Sequence, residues 1–176
     1  MKDPLGKVLV RWRIKEVLPH IRGRLLDIGC GTNELVRRYG NGVGVDVHQW
    51  GDVDKLVEDT AKLPFEDASF DTVTIVAALN HIPNREAVLL EARRVLKPGG
   101  RIVVTMIPPL ISRVWHTLRE PWDADQHERG MKEGEVYGIT QAGIRRLLED
   151  AGYRFQLHKP FMLRINTLSV AEKPAA

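Results

Sequence analysis

Apolar positions along the chain follow two alternating rhythms. Short, nearly continuous apolar runs suit buried strands, and between them apolar residues fall three and four apart, as on one face of a helix. Val10, Ile14, Val17, Leu18 and Ile21 predict a first helix over roughly 5–20. Arg24 to Ile28 reads as a buried strand, and the helix expected over 33–39 stops at Gly40. Asn41-Gly42 turns the chain into a second strand, Val43 to Val47, and Leu56-Val57-Glu58 reads as a short third. Phe70 to Leu79 is almost wholly apolar, as expected of a central fourth strand. Asn84 is placed to cap a helix whose stripe is Val88, Ala92, Val95 and Leu96, and Lys97-Pro98-Gly99-Gly100 should stop it. Arg101 to Ile107 is the fifth strand.

The alternation then falters. Ile111, Val114, Trp115 and Leu118 suggest a short amphipathic helix, followed by a polar stretch from Glu120 to Gly138. Thr140 can cap a last helix with Ile144, Leu147, Leu148 and Ala151 inward and Gly152 as its end. Tyr153 to Leu157 and Leu163 to Ala171 look like two strands whose link is too short for a crossover helix, so this pair should be antiparallel. Strands alternating with helices predict an α/β domain with a parallel sheet and helices on both faces.

Bulk properties change this picture little. The 176 residues, 43% hydrophobic and 28% charged, suit one soluble globular domain. One cysteine, Cys30, precludes an internal disulfide and makes a cytoplasmic location natural. No apolar run approaches the ~20 residues that span a bilayer, and Met-Lys-Asp-Pro does not begin a secretory signal. The net charge of +3 is uneven: residues 1–24 carry Lys2, Lys7, Arg11, Arg13, Lys15, Arg22 and Arg24 against Asp3 and Glu16. Such an arm could meet phosphate on RNA or a lipid surface, but a solvated helix face is the reading preferred for it, and no RNA-binding signature accompanies it.

Candidate chemistry lies where an open parallel sheet binds ligands, at the carboxyl ends of its strands. Leu25-Leu-Asp-Ile-Gly-Cys-Gly-Thr-Asn-Glu34 leaves the first strand there. Gly29 and Gly31 let the backbone approach a ligand, and the following helix offers free N–H groups to an anion. Asp46, ending the second strand, can accept from both hydroxyls of a ribose, and Asp59 in Glu58-Asp59-Thr60-Ala61 can accept from an adenine amine. Together these describe an adenosine pocket.

The Asp-x-Gly-x-Gly run resembles the first motif of class I S-adenosylmethionine-dependent methyltransferases. Asp59 followed by Leu63-Pro64-Phe65 and Ser69-Phe70-Asp71, then Leu79-Asn80-His81-Ile82-Pro83, then Leu96-Lys97-Pro98-Gly99-Gly100, are similar to the ubiquinone/menaquinone-biosynthesis branch of type 11 methyltransferases. The matches keep family order from Leu25 to Ile107, roughly half the chain. The resemblance implies a Rossmann-like doubly wound sheet of about seven strands, mostly parallel with an antiparallel C-terminal strand. It implies one methyltransferase domain: an N-terminal helix (1–22), a cofactor-binding half (23–107), a substrate-covering insertion (108–138), and a C-terminal helix and strand pair (139–176).

It also implies roles. Asp27, Gly29, Cys30 and Gly31 would surround the methionine part of the cofactor, Asp46 would hold the ribose, and Val47 would pack on the adenine. Asp59, Thr60 and Ala61 would read the adenine edge, and Ala77 and Ala78 would lie along the sulfonium. S-adenosylhomocysteine would be the product. The family usually carries a third glycine where this chain has Asn33, a residue that tolerates left-handed backbone but whose side chain must avoid the ligand.

Each candidate has a plain reading beside the sharp one. Asp27 could simply cap backbone amides, Asp71 reads better as a strand start, and Cys30 better as packing than as a nucleophile. His81 is a general base, a substrate contact or a loop histidine; His127 and Tyr137 are weaker polar candidates for catalysis. Trp115 and Trp122 flank an acidic segment (Glu120, Asp123, Asp125, Glu128, Glu133, Glu135) that is either a lid over a cationic substrate or a solvated loop. His20, His48, His116 and His158 lack metal-ligand spacing, so no metal is expected.

The expected activity is methyl transfer to an O, N or C nucleophile of a small-molecule substrate. An RNA methyltransferase is the first alternative, though no Asn/Asp-Pro-Pro-aromatic motif follows the fourth strand. A nicotinamide oxidoreductase would want Gly-x-Gly-x-x-Gly, whose sixth position here is Glu34. A non-catalytic cofactor-binding partner subunit is the last alternative. It rests on Asn33 and on an N-terminal region too short to form much of a cap, which a homodimer partner could complete.

Overall fold

In the computed structural model, residues 4–109 and 134–175 are described. The elements are α1 (Pro4–Val17), β1 (Leu25–Ile28), α2 (Glu34–Tyr39), β2 (Gly42–Asp46), β3 (Lys55–Leu56), β4 (Phe70–Val76), α3 (Arg85–Val95), β5 (Leu96–Met106), α4 (Gln141–Asp150), β6 (Arg154–Phe161) and β7 (Asn166–Glu172). The expected helix around Ile111 to Leu118, with Trp115, His116, Trp122, the acidic residues from Glu120 to Glu133 and His127, lies outside the described residues.

Seven strands form one sheet in the order β3-β2-β1-β4-β5-β7-β6. The ladders joining β3, β2, β1, β4 and β5 are parallel, and β7 runs antiparallel to both β5 and β6. The order reverses between β1 and β4, which opens a crevice above their carboxyl ends. All four residues of β1 are buried, as a strand covered on both faces requires.

Alternate side chains feed two cores. Leu26, Ile102, Val104 and Ala171 face α3 and α4, through Val88, Leu89, Ala92, Ile144 and Leu148. Leu25, Val103, Leu168 and Val170 face α1 and α2, through Ile14, Val17, Leu35 and Val36. This alternation is the period-two geometry of a pleated strand, and it puts helices on both faces.

Several boundaries differ from the expected ones. The fourth strand ends at Val76, because Ala77 takes a left-handed φ of 53° and Leu79–His81 form a 3-10 turn. Val47 lies beyond the second strand, and the third strand is Lys55–Leu56 rather than 56–58. Leu96 opens β5 rather than closing α3: its ψ is 137°, and it pairs with Phe70 before the ladder resumes at Thr72 and Arg101. Lys97 to Gly100 thus bulge opposite Asp71, with Gly99 at a φ of 72°. Asn84 makes no capping bond through its side chain. Met162, Leu163 and Arg164 all take left-handed backbone in the hairpin turn, so β7 starts at Asn166 and not Leu163. Thr140 caps α4 as expected, accepting from the Gly143 N–H. Asp71 is a structural residue: it accepts from the Arg24 N–H and from Lys97 Nζ, each at 2.8 Å.

Candidate functional site

A cavity of about 560 Å³ opens above the ends of β1, β2 and β4. Its floor is the turn after β1. Gly29 has a φ of 71°, and a Cβ there would stand 2.7 Å from that of Ala78. Gly31 has a φ of 55° with nothing within 4 Å of where its Cβ would be, so its face is open to a ligand. Both positions take a left-handed backbone, which glycine adopts without strain, and Gly29 also needs the bare space.

Asn33, at the N-cap of α2, takes a φ of 59° and is buried. Its side chain turns away from the cavity: Nδ2 donates to the Asp52 carbonyl at 2.9 Å, and Oδ1 presses into space left by Gly44. The left-handed turn is therefore kept without a third glycine, because a glycine on β2 makes room for the asparagine.

Acidic side chains surround the floor. Asp46 ends β2 with both oxygens fixed, Oδ2 accepting from the Gly31 N–H at 2.9 Å and Oδ1 from the His48 N–H at 3.1 Å. Asp59 Oδ1 accepts from the Ala61 N–H at 2.8 Å and from Asn84 Nδ2 at 3.3 Å. Each Asp46 oxygen keeps a second lone-pair direction for a ligand donor, and Asp59 has its Oδ2 to offer. Val47 stands half-exposed at the rim, where an apolar ring could cover it, with Trp50 also on the wall.

Asp27 is buried on β1, its Oδ1 accepting from the Thr74 hydroxyl at 2.6 Å. Burial pushes its pKa up to about 7, the Thr74 bond opposes the shift, and the charge of Asp46 adds to it. It is a poised acid, not a cap for backbone amides. Burial and the nearby Asp27, Asp46 and Asp54 push the Cys30 thiol up, so it stays protonated and packs rather than attacks.

At the mouth, His81 Nδ1 lies 3.4 Å from Glu135 Oε2, and the Glu135 side chain is 1% exposed. Arg85 fastens this corner, donating to the carbonyls of Leu79, Asn80 and Gly134, while the Val136 N–H donates to the Asn80 carbonyl. A carboxylate behind an imidazole fixes the ring and supports a proton on it. From the opposite side α1 walls the cavity with Val10, Arg13 and Ile14. The N-terminal segment thus does contribute cover, contrary to the expectation that it is too short.

The sequence model of a family described as a methyltransferase domain matches residues 26–104. The chain is 32% identical over 121 residues to the ubiquinone/menaquinone biosynthesis C-methyltransferase of Burkholderia mallei, covering 57% of this chain and 48% of that protein. It thus spans about half the length of the curated relatives it matches.

Residues 26–104 are thus similar to a methyltransferase domain.

Among solved structures, one chain of a complex between the Haloferax volcanii Trm112 methyltransferase activator and a methyltransferase superposes with a TM-score of 0.73 at 19% identity, over 96% of this chain and 92% of that one. An S-adenosylmethionine-dependent methyltransferase of Thermotoga maritima gives a TM-score of 0.67 at 17% identity, over 96% of each chain. At these identities the likeness is one of fold. The cofactor that the family implies is S-adenosylmethionine, and the bare glycine floor and the two strand-end carboxylates fit it.

The methyltransferase fold brings most expected site residues to one place. Asp27, Gly29, Cys30, Gly31, Asp46, Val47, Asp59, Thr60, Ala77, Ala78 and His81 all line the cavity. Ala61 stands behind the wall among core residues, and Tyr137 is 40% exposed and off the wall. Among the described residues no group of three or more His, Cys, Asp or Glu could hold a metal ion, and no helix is long and apolar enough to cross a membrane. Sequence reasoning missed Arg13 and the pairing of Glu135 with His81. Arg13 left a signal: it interrupts the apolar stripe Val10, Ile14, Val17, where a solvated cation does not belong. Glu135 left none, since its partner is 54 residues away.

Proposed function

We propose that this chain transfers the methyl group of S-adenosylmethionine to an oxygen, nitrogen or carbon nucleophile of a small molecule, as a cytoplasmic enzyme. The observation that carries the reading is the charge of the cavity wall. Asp27, Glu34, Asp46, Glu58, Asp59 and Glu135 line it, against Arg13 among the described residues. A dinucleotide would bring two phosphates to the helix end, where Glu34 stands in the first turn of α2 and would repel them. A sulfonium and an ammonium are attracted by the same wall.

In this reading Asp46 holds the ribose, Val47 covers the adenine face, and Asp59 with Thr60 meets its edge. Asp27 faces the amino-acid end, and Ala77 and Ala78 leave room along the reacting line. When bound, the cofactor supplies an electrophilic methyl on a positively charged sulfur. The protein supplies alignment and a water-poor enclosure. His81 takes the acceptor's proton at its Nε2 as the new bond forms, and Glu135 holds the ring through Nδ1 and offsets the charge that appears on it.

A second reading is that of an enzyme working with a partner subunit. It is supported by the neighbour solved with a methyltransferase activator.

Thermal unfolding of wild type and Asp46→Ala with S-adenosylmethionine, S-adenosylhomocysteine and NAD tests the reading. Ligand at ~100 times its dissociation constant stabilises by ~2.7 kcal/mol, a rise of roughly 5–10 °C for this size. The expected result is a rise with the two sulfur ligands alone, lost in Asp46→Ala. A rise with NAD alone would overturn the assignment. No rise unless a partner is added would favour the second reading.

A further inference from the structure

Two arginines stand without a counter-charge at the amino ends of the central strands, the edge of the sheet opposite the cavity. Arg101 lies beside Thr72 of β4 where the β5 ladder resumes, and Arg22 comes just before β1. Thr72 ties the two together: its hydroxyl accepts from the Arg22 N–H at 3.0 Å and donates to the Arg22 carbonyl at 2.8 Å. The Arg22 guanidinium donates to the carbonyl of Gly99, just before Arg101. Along β5, Arg101 shares the face of Val103, so it points toward α1 and the 3-10 turn Leu18–His20 that follows it.

The acids nearby are engaged with other cations. Glu172, across the ladder from Arg101, pairs with Arg154 at 3.2 Å; Glu16 pairs with Lys159 at 2.7 Å, and Asp71 with Lys97 at 2.8 Å. Once these pairs cancel, Arg22 and Arg101 remain. The Arg101 Nε is buried and has no hydrogen-bond partner among the described residues. A buried donor on a cation is costly unless a ligand supplies the acceptor. Neighbouring groups register the surplus charge. Arg101 itself is held below its usual value first by burial and then by the charge of Arg22, with Glu172 opposing. His20, half-buried at the end of the 3-10 turn, is held down by burial and then by Lys159 and Arg101, with Glu16 opposing.

We propose that Arg22, Arg101 and His20 form a binding site for a phosphate dianion, either free or as the monoester of a small molecule. Two guanidinium forks match the oxygens of a tetrahedral oxyanion. A phosphate monoester carries about −1.5 to −2 charges at pH 7, which suits two uncompensated cations better than a carboxylate or a backbone diester with a single charge. The imidazole supplies a further N–H and gains a proton from solvent as the anion enters, because the dianion reverses the field around it. This site does not rest on the function proposed above. It lies at the other end of the strands from the cavity, and His20 and Arg22 fall outside residues 26–104.

Proton NMR of the full chain, following the histidine Cε1–H signals with His20 assigned through His20→Gln, tests this. The ligands are methyl phosphate, inorganic phosphate and dimethyl phosphate at fixed ionic strength. Methyl phosphate should shift the His20 signal saturably and move the midpoint of its titration to higher pH. Arg101→Met should weaken that binding by about 10- to 100-fold. Arg22→Gln should act in the same direction, and serves if Arg101→Met fails to fold. Arg146→Gln, the same loss of charge on α4, should leave the affinity within twofold. Tighter binding of inorganic phosphate assigns the site to the free ion, and methyl phosphate binding equally well or better assigns it to a monoester. Dimethyl phosphate, with one charge, should bind about tenfold more weakly than either. Equal binding of the diester would make this a contact for a nucleic-acid backbone and overturn the assignment. No saturable shift in wild type, or an affinity unchanged in both Arg101→Met and Arg22→Gln, overturns the site.

Discussion

The cavity has two kinds of wall. Its floor, from Gly29 to Ala78, comes from the stretch matched to the family, and its residues sit at strand ends, in the segments that follow them or, as Glu34 and Leu35 do, in the first turn of α2. Its sides come from α1 and the segment at Glu135, where single residues reach in from elements far apart in sequence. The floor is set by backbone: left-handed glycines, N–H groups anchoring Asp46, a strand that must stop at Val76. The sides are set by which side chain a helix or loop presents. A floor of this kind suits one cofactor, whereas the sides are free to choose the acceptor and the chemistry done to it.

The largest effect that would sharpen this contrast is on turnover. Glu135→Gln keeps shape but removes the charge behind His81, and His81→Gln removes the proposed base. Each should lower the rate of S-adenosylhomocysteine formation by about 10²-fold on any acceptor that must lose a proton, while cofactor affinity stays within twofold. The loss should be greatest near neutral pH and should shrink as pH rises and the acceptor ionises by itself. A cofactor affinity that falls in step with turnover would break the division between floor and sides.

How much of this was legible beforehand follows the same division. Asp27, Gly29, Gly31, Asp46 and Asp59 could be read because each is tied to a strand end a few residues away. The parallel sheet and the antiparallel last pair followed from element alternation and one short link. Leu96 was misassigned because a helical stripe and a strand start look alike when one apolar residue serves both. The pairing of Glu135 with His81 could not be read, since it rests on a 3.4 Å approach to a residue on another element. Arg13 was counted as one charge among a basic arm, although its interruption of an apolar stripe marked it as different.

A smaller effect tests the floor through Asp27. Its pKa of about 7 in the folded protein stands above the ordinary carboxylate value, so folding favours its protonated form. The free protein should therefore lose stability as pH rises from about 4 to 7, through the window between the two values, with nothing further lost above it. Asp27→Asn removes this penalty. At pH 8 the variant should be more stable than wild type without ligand, by at most about 4 kcal/mol for a three-unit shift. It should bind the cofactor about tenfold more weakly, because the carboxylate proposed to face the ammonium is gone. Urea unfolding at pH 5 and pH 8 checks the first claim: equal differences at both pH values would show that Asp27 is already ionised in the folded protein.

The smallest expected effect concerns Asn33, where the chain departs from the usual third glycine. Restoring it by Asn33→Gly relieves a left-handed asparagine, which is worth something under 1 kcal/mol since asparagine tolerates that region. Against this, the change deletes the bond from Nδ2 to the Asp52 carbonyl and empties the space that the side chain fills against Gly44. It also loosens the unfolded chain. These losses outweigh the relief, so the variant should be less stable by about 1 kcal/mol. Cofactor affinity should stay within twofold, because the side chain points into β2 and not into the cavity. The partner change, Gly44→Ala, should cost more, since its Cβ would collide with Asn33 Oδ1, and it should cost clearly less in the Asn33→Gly background. Equal costs in the two backgrounds, read by urea unfolding, would mean that Asn33 is not held against β2. The asparagine would then be free to turn toward the ligand, and the floor would not be the purely backbone-built surface that the comparison assumes.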